Sequence, residues 1–289
     1  MDRSWVDWEN YPFQAHYFGA EQGRMHYVDE GEGEVAAFVH GTPVWSYVYR
    51  HLIKDLSTHY RCVAVDQLGF GFSDKPQNAD YSPEAHAQRL ENLLEQLQLE
   101  PLTLVVHDFG GPIGLSYLFK YSEKVKKIIL FNPWMWSLND YPEFVRVGKI
   151  AGSIFGKVLF KYFNFSPKVL INQAFYDKSK LSTATHQQYI QAFPDPKSRS
   201  GPVAFAKHLL ASSDWFNQLW EKRQILKEKP TLILWGNKDT LLSPALLKRW
   251  KECLTDAKVI ELESGHFVQE EKPREVLEHI SQFLKKREK

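Results

Sequence analysis

Along the chain, short unbroken apolar runs alternate with longer stretches in which apolar positions recur every three or four residues. The first pattern marks strands buried on both faces; the second marks helices laid across them. Strand runs are Val35-Ala36-Ala37-Phe38-Val39, Arg61 to Val65, Thr103 to Val106, Lys126 to Phe131, Thr231 to Trp235 and Lys258 to Leu262. Helical spacing covers Tyr47 to Leu56, Pro83 to Leu97, Phe109 to Phe119, Pro244 to Leu254 and Lys272 to Leu284. Near the start, Gln14 to Phe18 and Arg24 to Val28 alternate around Glu21-Gln22-Gly23, which predicts an antiparallel hairpin at a sheet edge. This cadence predicts an α/β fold, a mostly parallel central sheet with helices on both faces. Its core should include Ala37, Val39, Val63, Val65, Leu104, Val106, Ile129, Leu130, Ile233 and Val259.

The rhythm stops between Pro133 and about Arg223. Aromatic-rich, helix-like pieces fill that span, interrupted at Asn164 to Pro167 and at Pro194 to Pro202, with no buried-strand run. Residues 133–223 are therefore expected to form an inserted helical cap, or lid, on a core made of residues 1–132 and 224–289. Most aromatics of such a cap serve its own packing.

Composition narrows the class. At 289 residues, 43% hydrophobic and 25% charged, the chain reads as globular. Its 36 Lys and Arg against 35 Asp and Glu leave a formal charge of +1, so the average charge invites neither nucleic acid nor a membrane. Cys62 and Cys253 offer no disulfide framework and no CxxC metal signature. Met1 to Asp7 lacks a basic region followed by an apolar one, so the expected compartment is a reducing cytoplasm. The glycine-punctuated loop Asp66 to Pro76 lacks the lysine-serine ending of a P-loop and the glycine spacing of a dinucleotide fingerprint.

The candidate chemistry centres on Thr103 to Leu115, where a buried strand turns into a helix through Gly110, Gly111 and Gly114. A sharp strand-to-helix turn lifts its central side chain off the sheet and needs small neighbours for the close approaches. Asp108 occupies that centre. An aspartate there can attack carbon directly and form an ester, or can merely cap the helix that follows. Two further groups follow strand ends: Asp239 in Gly236-Asn237-Lys238-Asp239, and His266 in Ser264-Gly265-His266-Phe267. Either alone could be an ordinary loop residue. Together they follow the order nucleophile, acid, histidine at the carboxyl ends of strands, where α/β sheets carry their sites. His107 has no neighbouring ligand cluster and reads as structural; no metal or cofactor is called for.

These residues resemble the α/β-hydrolase superfamily, and within it the haloalkane dehalogenase and epoxide hydrolase branch that uses an aspartate nucleophile. The resemblance runs from Gly23-Arg24-Met25-His26-Tyr27-Val28-Asp29 to His266-Phe267-Val268-Gln269-Glu270-Glu271-Lys272-Pro273. His40-Gly41-Thr42-Pro43-Val44-Trp45-Ser46-Tyr47-Val48-Tyr49-Arg50 looks more like the dehalogenases, and Asp66 to Ser73 matches the usual superfamily loop. The resemblance implies that Asp108 attacks the substrate, His266 activates water against the resulting ester, and Asp239 orients His266. It further implies backbone N–H donors from Thr42 and Phe109, with a small apolar organic molecule and water as reactants.

Two departures stand out. Phe109 replaces the tryptophan usual after the nucleophile, removing an N–H from the halide site. Thr42 stands where one subgroup carries asparagine, and Asn132 fills the place of that subgroup's acid, leaving Asp239 as the acid. A tryptophan from the cap could supply a donor, with Trp134, Trp136 and Trp215 as candidates. Epoxide opening would instead need a tyrosine, for which Tyr141, Tyr176 and Tyr189 are candidates. The preferred expectation is dehalogenation of a small haloalkane; the alternatives are an epoxide or strained-lactone hydrolase, and a non-catalytic binding or scaffold protein.

Overall fold

The computed structural model describes residues 3–285, so the first two and last four residues of the expected core segments lie outside it. The N-terminal hairpin forms from β1 (His16–Ala20) and β2 (Gly23–Glu30), turned through Gln22 at a φ of +71°. Five further buried strands are β3 (Val35–Val39), β4 (Arg61–Val65), β5 (Leu102–His107), β6 (Val125–Phe131) and β7 (Thr231–Gly236). With β8 (Lys258–Leu262) they complete one sheet in the order β1-β2-β4-β3-β5-β6-β7-β8. β2 is antiparallel to both neighbours; every pairing from β4 to β8 is parallel.

Helices α1 (Arg50–Leu56), α2 (Pro83–Gln96) and α3 (Gly110–Lys120) link the early strands. Ser82 caps α2 by accepting from Ala85 N–H at 3.2 Å, and Pro83 opens the helix where its missing N–H costs nothing. A 3-10 turn over Ser46–Tyr49 precedes α1, so the segment expected to be helical from Tyr47 begins in a tighter coil. Between β6 and β7 lie α4 (Pro142–Gly152), α5 (Ile154–Tyr162), α6 (Ile171–Ala174), α7 (Thr183–Gln191), α8 (Ser200–Ala211) and α9 (Ser213–Glu221). The expected break up to Pro202 ends earlier, because α8 begins at Ser200 and tolerates Pro202 in its first turn. α10 (Pro244–Cys253), the short α11 (Val268–Glu271) and α12 (Pro273–Lys285) finish the fold. α11 went unpredicted because four residues are too few to show a helical period.

Nine of the ten expected core residues are buried. Val259 is the exception and is half-buried, since β8 is an edge strand with a neighbour on one side only. Both cysteines are free and buried, and burial pushes the Cys62 thiol up to about 12. No described helix is long and apolar enough to cross a membrane.

A buried carboxylate pins the loop beyond β4. Asp66 accepts from Ser46 N–H and Phe72 N–H at 2.8 Å each, and its Oδ2 lies 2.8 Å from His26 Nδ1. Burial alone would raise its pKa, but His26 and the other donors outweigh that and hold it down at about 2. The resulting stabilisation is present above the ordinary aspartate pKa and fades as pH falls towards about 2. Asp66→Ala strands those donors and is expected to cost about 3 kcal/mol at neutral pH, read by denaturant unfolding. A loss within the range of a surface substitution would contradict the network's role.

Candidate active site

The turn between β5 and α3 places Asp108 at a φ of +52°. A β-carbon on Gly110 would sit 2.1 Å from Val39 O, and one on Gly41 would sit 2.3 Å from Asp108 Cβ, so both positions must lack side chains. This is the elbow expected from the sequence, and it holds the carboxylate against the loop after β3. Thr42 N–H donates to Asp108 Oδ2 at 3.1 Å, and Phe109 N–H also donates to this carboxylate. Asp108 does not act as a helix cap: α3 begins with no side-chain cap at all.

His266 faces it. Its Nε2 lies 4.0 Å from Asp108 Oδ2, beyond hydrogen-bond range, while its Nδ1 lies 2.8 Å from Asp239 Oδ2. That contact assigns the Nδ1 proton to the Asp239 side and leaves Nε2 facing Asp108. Asp239 Oδ1 accepts from Leu241 N–H at 2.7 Å and Leu242 N–H at 2.9 Å. Asn132, at a φ of +42°, donates through Nδ2 to Asp239 Oδ2 at 2.6 Å and accepts from Gly236 N–H at 3.0 Å. The asparagine at the alternative acid position therefore braces Asp239, a contact its place in the sequence could not disclose.

Burial raises the Asp108 carboxyl to about 6, against the opposing pull of His266 and the two backbone donors. Burial works against the charged form of His266, but Asp239 and Asp108 outweigh it and raise its pKa. Behind it, His107 is driven well below the ordinary histidine range by burial and by the neighbouring imidazole. His107 Nε2 lies 3.2 Å from the His266 carbonyl oxygen and the rings are 4.6 Å apart, so a neutral His107 steadies the backbone of the histidine loop.

Two consecutive carboxylates tie that loop to the helical insertion. Glu271 accepts from Gly265 N–H at 2.7 Å, Asp177 N–H at 2.8 Å and Tyr176 N–H at 3.2 Å, while His266 N–H donates to Ala174 O at 2.9 Å. Glu270 pairs with Arg50 through contacts of 2.5 and 2.9 Å and also accepts from Tyr189 OH. Sequence reading gave these glutamates no role, because nothing in their spacing reveals partners so distant along the chain.

A cavity of about 200 Å³ reaches down to Asp108, Thr42 and His266, with walls from α4, α5 and α8. Trp134 lines it, as do Phe109 and Phe205, whose rings stack at 4.5 Å. Trp136 instead packs between Trp220 and Trp250, and Trp215 lies against Phe216; neither is on the cavity wall. The three candidate tyrosines are also elsewhere: Tyr189 on Glu270, Tyr176 half exposed, and Tyr141 against Phe144. Buried Thr42 Oγ1 and Trp134 Nε1 have no hydrogen-bond partner.

With this geometry in view, residues 37–273 match the model of the α/β hydrolase fold family. A cis-3-alkyl-4-alkyloxetan-2-one decarboxylase of Shewanella oneidensis is 31% identical over 283 residues, covering 94% of this chain and 89% of that protein. Haloalkane dehalogenase 2 of Mycobacterium tuberculosis is 31% identical over 266 residues, covering 91% of this chain and 92% of that protein. The crystal structure of the haloalkane dehalogenase DatA from Agrobacterium tumefaciens superposes with a TM-score of 0.85 at 28% identity, covering 94% of this chain and 96% of that one. The chain belongs to the α/β hydrolase fold family. It is a hydrolase of the haloalkane dehalogenase-like type.

Keeping Asp108 ionised in its buried setting costs stability above its raised pKa, a cost absent below the ordinary aspartate pKa. Asp108→Asn is therefore expected to stabilise the protein by about 2 kcal/mol at pH 8 and by much less at pH 4. Thermal unfolding at the two pH values checks this; an equal or inverted difference would contradict the burial argument.

Proposed function

We propose that the protein is a cofactor-independent hydrolase working through a covalent ester on Asp108, and that its reaction is hydrolytic dehalogenation of a small apolar haloalkane. The observation that carries this reading is a carboxylate held by Thr42 N–H and faced, across 4.0 Å, by a histidine that Asp239 orients, at the floor of an apolar cavity. Residues 133–223 act as the cap over a core of residues 1–132 and 224–289. Two buried free thiols suit a reducing cytoplasm.

In the first step a carboxylate oxygen of Asp108 attacks the saturated carbon; the new C–O bond forms as the carbon–halogen bond breaks, and halide leaves with its electron pair. Halide is too weak a base to need a proton, but it needs donors. Thr42 Oγ1 and Trp134 Nε1, on two residues that line the cavity, are buried donors with no hydrogen bond, and we assign them this part. In the second step His266 Nε2 takes a proton from water, which attacks the ester carbonyl carbon. Charge developing on the carbonyl oxygen meets Thr42 N–H and Phe109 N–H. The imidazolium then protonates the departing alkoxide, leaving a neutral His266 and an Asp108 carboxylic acid, which releases its proton to solvent and so regains the nucleophilic carboxylate. Asp239 stabilises the imidazolium meanwhile.

Epoxide opening loses support because no tyrosine lines the cavity to protonate the ring oxygen. A strained lactone is the second reading, favoured by the similarity to the Shewanella oxetanone enzyme and by Phe109, which offers a leaving halide no side-chain N–H. There the same attack would expel a carboxylate, whose oxygens Thr42 and Trp134 could equally receive.

His266→Gln is expected to form the Asp108 ester and stall before hydrolysis. Intact-protein and peptide mass measurement, after incubation with haloalkane and β-lactone panels, should find a substrate-derived adduct on Asp108. Halide release selects the first reading, a ring-opened lactone adduct on Asp108 the second, and a folded variant with no adduct from either panel would overturn both. The rate of adduct formation should also fall tenfold per pH unit below about 6, as the Asp108 carboxylate is protonated, and level off above it. A pH-independent rate would mean that another group attacks.

A further inference from the structure

α4 and α5 meet at the exposed bend Gly152-Ser153 and carry two apolar faces instead of one. The inner face of α4 uses Phe144, Gly148 and Ala151, with Leu210 of α8 so close that a β-carbon on Gly148 would lie 2.4 Å from it. The outer face of the pair is bare. Ile154 is 82% exposed, Phe155 65%, Phe163 63% and Tyr162 61%, and Val147, Ile150 and Val158 extend the same surface. Scattered apolar residues need no explanation, but seven of the ten large apolar residues exposed among the described residues fall between Val147 and Phe163, which marks a contact surface.

Charge indicates what is contacted. Over residues 142–170, Arg146, Lys149, Lys157, Lys161 and Lys168 stand against one acid, Glu143. That is a local charge of +4 in a chain whose total is +1, so the rest of the chain sums to −3. Arg146, Lys149, Lys157 and Lys168 are exposed. Exposed apolar side chains interspersed along the same helices with exposed cations, and with a tyrosine among them, suit the boundary between acyl chains and anionic headgroups. A second copy suits it poorly, because a twofold pairing of this face would bring the cations of one copy towards those of the other. Spanning is excluded by length: the helices have 11 and 9 residues, where a bilayer needs about 20.

We propose that the α4–α5 pair docks the protein, lying flat, onto an anionic phospholipid bilayer, with Ile154 and Phe155 entering the headgroup boundary. The docking face adjoins the cavity: Val147 is exposed on α4 and also lines the cavity wall beside Phe144, Ala151 and Phe160. An apolar substrate dissolved in lipid would thus meet the cavity wall without first crossing bulk water. This inference does not depend on the chemistry at Asp108, and its test requires no turnover.

The full chain is sedimented with vesicles of phosphatidylcholine alone and of phosphatidylcholine with phosphatidylglycerol in equal parts. The expected result is partitioning onto the phosphatidylglycerol vesicles, at least ~10-fold above phosphatidylcholine alone and reduced by high salt. Ile154→Ser with Phe155→Ser should lower that partitioning about tenfold or more, and Lys149→Gln with Lys157→Gln should reduce it while flattening the salt dependence. These side chains are exposed, so all variants should keep the wild-type melting temperature. The proposal is overturned if the wild type stays in the supernatant, or if the folded apolar variant partitions equally. It is also overturned if light scattering shows a dimer in solution that the apolar variant converts to monomer, since a second copy would then own this face.

Discussion

A carboxylate kept from water at the crest of the sheet is the constraint from which the rest of the site follows. Two backbone N–H groups, from Thr42 and Phe109, satisfy it in part, and the opposing imidazole supplies the remaining attraction without a direct hydrogen bond. The compensation is incomplete, so the carboxyl sits near pH 6 and the ionised form is both reactive and costly. Supporting that state requires the positive φ at Asp108, the bare α-carbons at Gly41 and Gly110, and a histidine braced from behind. Local strain and burial are thus concentrated where a nucleophile would need them.

The fold was legible because its signals are local. Buried parallel strands show themselves as short apolar runs, and Ser82-Pro83 or Gly110 mark where helices begin. The elbow, Asp239 and His266 could be found for the same reason, since each directly follows a strand end. What escaped the sequence depends on contacts between distant segments. Asn132 meets Asp239 from 107 residues away, Glu270 meets Arg50 from 220, and Glu271 meets Tyr176 from 95. The cap aromatics illustrate the same limit. Trp134, Trp136 and Trp215 are alike in sequence, and only packing decides that the first reaches the cavity while the second joins a tryptophan cluster.

Averages along the chain hide local contrast. A total charge of +1 conceals a cationic, apolar pair of helices whose outward residues read, in sequence, like core. The helical period permits two apolar stripes on α4 and α5, and the three-dimensional arrangement reveals which of them has a partner. The same helices wall the cavity, so the exposed apolar face and part of the cavity lining belong to one element.

The clasp formed by Glu270 and Glu271 bears on how such enzymes diversify. Because the backbone at Gly265 and His266 shares hydrogen bonds with residues 174–177, the helices between β6 and β7 and the loop that carries His266 form one mechanical unit. A graft that exchanged the insertion for another of different length would carry the imidazole with it unless that short stretch were kept. Exchange of the segment is therefore most constrained at the modest turn after α6, whose backbone is bonded to the loop that carries His266.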